Sequence, residues 1–270
     1  MPSRKRNRPE PDFVTCFGVG DGWPCPDRHH SSFLYTFGGS CLLVDCGECL
    51  SSSYSRSGHS YEALDGILLS HLHSDHVGGL FMFLQGMWLE KRRRPLTIYL
   101  PDEGIQPLKR MLKAVYLFEE LIGFPLRFES LHPGKAIEIG TIHVTPYATQ
   151  HLAQLRATFG RQRRQAFECF SFVLEASGRR VGHSADIGFA TDLDPLLANP
   201  LDHLVCELAH CDLDAICQRL IGVRSQIARV TFVHLSRELW NVRADTRRRL
   251  KKWLEDVPFV IAQDGQRVGF

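Results

Sequence analysis

The chain has 270 residues, 44% of them hydrophobic, which is enough for one large domain with a buried core. Its 32 basic and 30 acidic residues leave a formal net charge of +2, so the overall charge does not favour a nucleic-acid or membrane partner. The nine cysteines follow no even disulfide framework, the amino terminus lacks an apolar signal-peptide core, and no apolar run reaches the roughly 20 residues of a membrane helix, so we expect a reduced, cytoplasmic protein.

The first half of the chain predicts alternating strands and helices. Residues 1 to 12 are basic and are expected to be flexible, so the ordered chain begins with a strand just after them. The stretch SSFLYTFGGSCLLVDCG, residues 31 to 47, predicts two strands around a Gly-Gly turn, and the second strand delivers Asp45 to the next turn. Residues 61 to 73 predict a short helix and a buried strand, followed by a helix over 74 to 94.

The remaining elements continue this alternation. Apolar runs bounded by turn residues predict strands, and longer runs with a helical period predict helices. In chain order they are a strand over 96 to 101, a helix over 104 to 123, two strands over 137 to 149, a hairpin over 168 to 186, strands over 201 to 210 and 228 to 239, a helix over 244 to 257 and a strand over 258 to 265. Several strands end in histidine or acidic residues, and loops at strand ends commonly hold a ligand site.

Three histidines and an aspartate crowd into six residues at the end of one buried strand, in the stretch HLHSDH at 71 to 76. His71 and His73 are two residues apart, so both imidazoles can project to one side of the strand end. Asp75 and His76 follow where the chain turns, and they can point to a second nearby position. Neutral imidazoles and carboxylates are ligands for zinc, manganese or iron, and paired catalytic ions typically stand about 3.5 to 4 Å apart. The spacing therefore predicts a two-metal site.

This cluster needs further ligands from elsewhere in the chain. His151, Asp186 and His234 each follow an apolar strand that can end at the same edge of the fold. A single histidine beside a strand is more often a hydrogen-bonded structural residue. Burying the four polar residues of 71 to 76 without a metal, however, would leave several groups unpaired, at a cost of about 1 to 3 kcal/mol each. We therefore assign all seven side chains to the metal site.

The stretch from His71 to His76 resembles the HxHxDH signature of the metallo-β-lactamase superfamily, and LLVDCGE, which contains Asp45, resembles the acidic motif that precedes it. The stretches FGVGDGWP, VCELA, FVHLSRE and IAQDG resemble the ribonuclease Z-like branch of that superfamily. The resemblance covers residues 13 to 270 and implies a single α/β (α+β) domain folded as a four-layer αββα sandwich. It also implies a homodimer.

The same resemblance implies two divalent metal ions, most often zinc, with manganese or iron as alternatives. One ion is held by three histidines, the other by an aspartate and two histidines, and a second aspartate bridges them: His71, His73 and His151; Asp75, His76 and His234; and Asp186. Asp45 is then expected to orient a ligand histidine or to hold the loop, with a simple turn aspartate as the alternative.

These ligands, together with the resemblance, imply a metal-dependent hydrolase that cleaves a phosphodiester in a small anionic molecule or in RNA. The expected nucleophile is a metal-bound hydroxide, because two divalent ions lower the pKa of a shared water toward about 7. Asp75 would orient and deprotonate that water. Function follows the site rather than the fold. The alternatives are therefore sulfate-ester, thioester or lactone hydrolysis, an iron-dependent redox reaction, tRNA 3′-end processing, and binding without catalysis.

Two features depart from the tRNA-processing relatives. In those relatives a glutamate orients a histidine from a later HST motif, and that histidine protonates the leaving group. Here Glu207 matches the glutamate but residues 211 to 229 contain no HST, so His210 is the candidate proton donor, with a structural role as the alternative. Only 34 residues separate His151 from Asp186, which are too few for the arm that grips tRNA in those enzymes.

Basic and cysteine-containing segments have less specific interpretations. The loop predicted over 152 to 168 carries four arginines that either are solvated or line the cleft and attract an anionic substrate: Arg156, Arg161, Arg163 and Arg164. KRRR at 91 to 94 and RRRLKK at 247 to 252 are expected to be solvated helix faces. Cys46 and Cys49 form a CxxC without a second pair, so we expect small filling residues rather than a zinc or redox site.

Overall fold

Fourteen strands and ten α-helices form the part of the chain that the computed structural model describes, residues 12 to 270. The strands are β1 (Phe13–Gly18), β2 (Ser32–Phe37), β3 (Ser40–Val44), β4 (Leu64–Leu68), β5 (Leu96–Leu100), β6 (Leu126–Ser130), β7 (Ile137–Ile139), β8 (Ile142–Ala148), β9 (Phe170–Ala176), β10 (Arg179–His183), β11 (His203–Leu208), β12 (Val230–Leu235), β13 (Phe259–Ile261) and β14 (Gln266–Gly269). Of the segment expected to be flexible, residues 1 to 11 lie outside the described residues.

The helices lie between these strands, mostly as connections that cross from one strand to the next. They are α1 (Leu50–Ser57), α2 (Ser74–Val77), α3 (Leu80–Leu89), α4 (Asp102–Ala114), α5 (Glu119–Ile122), α6 (Ala153–Arg163), α7 (Asp194–Leu197), α8 (Leu213–Ile221), α9 (Arg237–Asn241) and α10 (Arg243–Leu254). Short 3₁₀ helices occupy Tyr61–Ala63, Ala190–Leu193 and Arg224–Gln226. No helix among the described residues is long and apolar enough to cross a membrane.

The strands form two seven-stranded sheets of similar design. The first has the order β14-β1-β2-β3-β4-β5-β6, and the second has the order β13-β12-β11-β10-β9-β8-β7. In each sheet one half is antiparallel and the other half, β3 to β6 or β10 to β13, is parallel. In the parallel halves the carboxyl ends of neighbouring strands meet at one edge, where loops can converge on a site.

Three apolar layers separate four layers of secondary structure. In β2 the alternation is visible in single residues, because Phe33, Tyr35 and Phe37 face the second sheet whereas Leu34 faces the helices. Helices α1, α3 and α4 cover the outer face of the first sheet, and α7, α8 and α10 cover the outer face of the second. The αββα sandwich expected from the sequence is therefore confirmed.

The helix predicted over 104 to 123 is shorter than expected and ends with α4. Tyr116 has φ 62°, and its N–H donates to the carbonyl of Lys113 (3.2 Å). The N–H of Leu117 donates to the carbonyl of Leu112 (2.8 Å), and both leucines lie in the apolar layer under the helix. These bonds form a Schellman motif, which usually carries glycine at the left-handed position. Tyrosine there gives no sequence signal of a helix end.

Two other predictions were wrong in detail. The segment predicted as a loop over 152 to 168 contains the eleven-residue helix α6, none of whose residues is buried. The KRRR segment is not wholly solvated, because Arg92 is fully buried and donates to the carbonyls of four residues: Tyr61, Leu64, Arg94 and Pro95. Its guanidinium therefore gives hydrogen bonds to backbone carbonyl groups that would otherwise lack a partner. The strand β14 was not predicted at all.

Candidate metal centre

Strand ends from both sheets bring the predicted residues to one edge of the sandwich. Asp45 follows β3, and the segment 70 to 76 follows β4 and runs into α2. From the second sheet, His151 follows β8 and Asp186 follows β10, while His234 is the second-last residue of β12. Hence residues that are far apart in the chain meet where the two sheets face each other.

Three imidazole nitrogens converge on one point. His71 Nε2 lies 3.1 Å from His73 Nδ1, and His151 Nε2 lies 3.2 Å from the same atom. Four ligands placed tetrahedrally at the usual zinc–nitrogen distance are about 3.3 Å apart. The three nitrogens are therefore spaced as ligands of one ion. The fourth tetrahedral position is left for a carboxylate.

A second group lies next to the first. His76 Nε2 is 3.4 Å from Asp75 Oδ2, and His234 Nε2 is 4.0 Å from that oxygen. Among the residues that the structure describes, neither of these two buried nitrogens has a hydrogen-bond partner. Buried polar atoms are rarely left unpaired in folded proteins. Two such atoms that point to one position fit a bound cation, so the donor set suits the metal that the sequence predicted.

Asp186 stands between the two groups. Its Oδ2 lies 3.7 Å from His71 Nε2 and 3.6 Å from His151 Nε2. On the other side the same oxygen lies 3.3 Å from His76 Nε2 and 3.6 Å from His234 Nε2. One buried carboxylate oxygen thus contacts nitrogens of both groups, and it has the position of a bridging ligand.

Hydrogen bonds behind the cluster fix the orientation of the histidines. The fully buried carboxylate of Asp45 accepts hydrogen bonds from the Ser70 N–H (2.7 Å) and hydroxyl (2.9 Å), and its Oδ2 lies 2.7 Å from His76 Nδ1. Such a carboxylate holds the proton of His76 on Nδ1 and leaves Nε2 free as a ligand. The hydroxyl of Ser31 lies 2.9 Å from His234 Nδ1 and can act in the same way.

The backbone is locally forced at three of these strand ends. Asp45, Ala185 and His234 have φ values of 60°, 45° and 48°, which residues other than glycine seldom adopt. At His234 the pairing of β11 with β12 also slips by one residue, as in a β-bulge. The bulge turns the ring of His234 away from the strand alternation and into the site, and bulges beside active sites commonly re-aim a side chain.

Burial keeps the first group of imidazoles neutral. It lowers the pKa of His71 well below its ordinary value, lowers the pKa of His73, and lowers that of His151 to about 3. A histidine must be neutral to bind a metal. Burial therefore favours the neutral, metal-binding form of these three imidazoles.

Carboxylates determine the charge of the second group. Burial alone would lower the pKa of His76, but Asp186 and Asp45 raise it well above the ordinary value. Burial alone would raise the pKa of Asp186, but His234 and His76 hold it well below the ordinary value. In the absence of an ion, a proton on His76 therefore balances the buried carboxylates, and a cation would take over that role.

Glu207 and His210 form a pair at the rim of this cluster. His210 Nδ1 lies 3.1 Å from Glu207 Oε1 and 3.7 Å from Asp186 Oδ2. Glu207 is buried and also accepts the N–H groups of Ile187, Ala209 and His210. Against the effect of burial, the hydrogen bond with Glu207 raises the pKa of His210 to about 9. His210 is thus held in place, and in the absence of an ion its protonated form is favoured at neutral pH.

The remaining candidates are the arginines of residues 152 to 168 and the cysteines of the CxxC, and none of them lines the cleft over the cluster. Arg156 donates to the carbonyls of Ala166 and Phe167, so its guanidinium is engaged in holding the end of α6. The four arginines of this segment are exposed. Cys46 is buried as expected, whereas Cys49 is exposed and has φ 71°. No disulfide joins any of the cysteines in the described part of the chain.

One positioning residue was missed by sequence reasoning. The Oδ2 of Asp192 accepts hydrogen bonds from the N–H groups of Gln150 and Gly188 (2.8 Å each), and so it joins the loop that carries His151 to the loop that follows Asp186. These loops approach very closely, because a Cβ on Gly188 would lie 2.5 Å from the Gln150 carbonyl oxygen. No local pattern marks such a link.

A cleft of about 440 Å³ opens over the cluster. Its walls come from the site itself, from the loop after β1 and from the start of α9: Asp21, Gly22, Trp23, His73, Asp75, Asp186, Ala209, His210, Ser236 and Glu238. The site is thus reachable from solvent, and the arrangement can present two adjacent ions to a small substrate.

Comparison with known proteins places this geometry in context. The family model of the anti-Pycsar protein Apyc1 matches residues 13 to 230. Among curated proteins, ribonuclease Z of Archaeoglobus fulgidus is 28% identical over 141 residues, 52% of this chain and 45% of that protein. Ribonuclease Z of Methanopyrus kandleri is 31% identical over 134 residues, 50% of this chain and 44% of that protein. The chain therefore spans less than half the length of these relatives.

Solved structures show the same fold at low identity. The metallo-β-lactamase fold protein YhfI from Bacillus subtilis has a TM-score of 0.76 and 20% identity, covering 96% of this chain and 99% of that one. The short form of human tRNase Z has a TM-score of 0.69 and 18% identity, covering 95% and 98%. A diphosphatase of the PhnP family has a TM-score of 0.71 and 18% identity, covering 96% and 98%. The expected ribonuclease Z-like resemblance and metallo-β-lactamase fold are confirmed.

Proposed function

The chain belongs to the family of the anti-Pycsar protein Apyc1, and we propose that it acts as a dinuclear metal-dependent hydrolase that cleaves a phosphodiester in a small anionic molecule or in RNA. The observation that carries this proposal is the position of Asp186 Oδ2 between two groups of imidazole nitrogens, 3.3 to 3.7 Å from each. A single buried carboxylate shared in this way suits two adjacent metal ions.

The residues fit two divalent ions, and zinc suits a donor set that is rich in imidazole, with manganese or iron as alternatives. His71, His73 and His151 would hold one ion and Asp75, His76 and His234 the other, with Asp186 between them. When bound, such ions supply Lewis acidity and lower the pKa of water.

The chain's own side chains provide the proton transfers. Asp75 has a pKa held below its ordinary value, since interactions with His76 outweigh the effect of burial, so it is ionised and can orient and deprotonate the attacking water. His210 is protonated at neutral pH and is held by Glu207, so it can protonate the leaving oxygen. Its role would replace that of the histidine from the absent HST motif.

Several observations favour a small substrate over tRNA. Between His151 and β9 the chain forms only α6 and a short connection, which leaves no room for a tRNA-gripping arm in that segment. The cleft is about 440 Å³, a size suited to a small molecule. The solved relatives include a diphosphatase as well as tRNase Z. Processing of tRNA is the second candidate, favoured by the similarity to curated ribonuclease Z proteins.

Hydrolysis of bis(p-nitrophenyl) phosphate by zinc- or manganese-loaded protein tests the proposal. We expect turnover that is lost in Asp75→Ala and retained in Asp65→Ala, a control on β4 that lies at the opposite end of the sheet. Metal content is measured for each variant. A precursor tRNA and a panel of sulfate esters, thioesters and lactones are assayed in parallel. Absence of phosphodiester cleavage with every metal would contradict the proposal and favour the other esters, or iron-dependent redox chemistry if iron is bound.

Three further properties remain predictions. We propose that residues 13 to 270 form one domain, that the protein is a homodimer, and that it is cytoplasmic. Light scattering on the purified protein tests the second of these.

A further inference from the structure

We propose that Trp23 is the surface on which a planar aromatic ring of the substrate stacks, beside the metal centre. This inference rests on the proposed function and names a specificity-determining residue for it. Trp23 is 63% exposed, although tryptophan is largely buried in most proteins. Its indole lines the same cleft as His73, Asp75 and His210.

Trp23 lies next to the reacting groups. A Cβ added to the preceding residue, Gly22, would lie 3.5 Å from Asp75 Oδ2, which is van der Waals contact. The backbone that carries the indole therefore passes beside a proposed metal ligand. A ring stacked on Trp23 would belong to a molecule whose phosphate can reach the site.

The loop that presents Trp23 is firmly held. At its base, Arg28 and Asp21 form an ion pair (3.3 Å) in which both side chains are buried, and Arg28 Nη1 donates to the carbonyl of Leu235 (2.9 Å). The carboxylate of Asp264 accepts the N–H groups of Val19 (3.0 Å) and His29 (2.6 Å). An exposed ring on a fixed loop needs little ordering when a ligand binds, which favours affinity.

The charges around the cleft favour stacking over ion pairing. Four of the side chains that line it are carboxylates: Asp21, Asp75, Asp186 and Glu238. His210, the other charged group, is assigned to the leaving oxygen. At the rim, the guanidinium of Arg237 lies 5.8 Å from the centroid of the Trp23 ring. Recognition beyond the phosphate group therefore depends on a neutral, flat group. An indole provides this, since base–aromatic stacking works for any planar ring.

A pair of ligands that differ only in the ring tests the inference. Adenosine 5′-monophosphate and ribose 5-phosphate share the phosphate and sugar, and their dissociation constants for the zinc-loaded full chain are measured by calorimetry. We expect the wild type to bind the nucleotide about ten-fold more tightly, as typical stacking energies imply. Trp23→Ala should bring the ratio of the two constants close to one, and Trp23→Phe should keep most of it.

Two controls separate the possible failures. Trp253→Phe changes a tryptophan of α10 that donates to Asp214, and it should leave the ratio unchanged. If the wild type cleaves phosphodiesters but Trp23→Ala preserves the ratio, the stacking role is wrong and the proposed function stands. If the wild type binds both ligands equally while it cleaves phosphodiesters, the stacking role is likewise wrong. If the protein neither binds these ligands nor cleaves any phosphodiester, both proposals fail.

Discussion

The carboxylate of Asp45 lies 2.7 Å from Nδ1 of His76, and both side chains are shielded from solvent. This pair joins the end of β3 to the start of α2 and decides which nitrogen of His76 is available to a metal. Asp45 does not belong to either of the two groups of proposed metal ligands. It controls the site through the imidazole.

Replacing Asp45 with asparagine should weaken metal binding without unfolding the protein. The amide can still accept from Ser70, but its NH₂ group would face His76 Nδ1 and favour the tautomer that has its proton on Nε2. Loss of such an orienting carboxylate typically lowers metal affinity about 10- to 100-fold. Competition with a chromogenic chelator measures the affinity. Asp65→Asn, whose carboxylate binds the Cys41 N–H at the far end of the sheet, is the control and should keep wild-type affinity.

Removing the metal should lower the thermal stability. The Nε2 atoms of His76 and His234 make no hydrogen bond to the described residues, and a bound ion would give them a partner. An ion present at 100 times its dissociation constant stabilises the folded state by about 2.7 kcal/mol. Calorimetry with and without EDTA should show a lower unfolding temperature in EDTA, restored by added zinc. Equal unfolding temperatures in both buffers would argue against ion binding to the folded state.

The role of His210 should depend on the leaving group. Protonation matters for a poor leaving group such as a ribose hydroxyl and little for p-nitrophenolate. We expect His210→Gln to lower kcat on the order of 10²-fold for a dinucleotide, the lower end of general-acid effects, and to change it little for bis(p-nitrophenyl) phosphate. The two substrates are compared in one preparation of known metal content. An equal loss with both substrates would indicate a ligand or structural role instead.

Adding a methyl group at Gly188 should loosen the site. The new Cβ would meet the Gln150 carbonyl at 2.5 Å and displace the loop that carries His151. We expect Gly188→Ala to lower metal affinity at least ten-fold, because one ligand of the first group moves. Gly222→Ala is the matched control, since its nearest contact would be 3.6 Å from the Arg219 carbonyl. Chelator competition again provides the measurement.

A histidine outside the site should make stability depend on pH. His203 is buried against Thr231, and burial lowers its pKa from 6.5 to about 3. The unfolded chain therefore takes up a proton first as the pH falls below 6.5. The free energy of unfolding should fall between pH 6.5 and about 3, by at most roughly 1.4 kcal/mol per pH unit for this group.

Urea unfolding of the metal-free protein at several pH values between 7 and about 5 measures this slope. His203→Gln should make the slope shallower. His143→Gln, at an exposed position, should leave it unchanged. The assignment to His203 is incorrect if both variants keep the wild-type slope.

The parts of the site that lie close together in the sequence could be predicted from it. The segment from His71 to His76 holds four metal-type ligands within six residues, and this spacing alone predicts metal binding. His151, Asp186 and His234 were assigned to the site because each was expected to follow an apolar strand, and the structure brings them to the same cluster. The layers of the fold were predictable for the same reason, since apolar alternation records which faces are buried.

Contacts between distant loops could not be predicted. Ser31 meets His234 only because a bulge turns the end of β12, and Asp192 meets Gln150 only after both sheets have formed. The helix α6 has no buried face, so the apolar period that marks helices is missing there. Such features depend on the assembled structure and leave no local pattern.

The pairing of β1 with β14 has a consequence for folding. Phe13 pairs with Gly269 and Cys16 with Gln266, so the first strand of the described residues is completed by their last strand. Until β14 pairs, the first sheet keeps an open edge at β1, and an open edge can pair with another chain. Partly folded states that lack this pairing are therefore the ones in which the sheet is most exposed to aggregation.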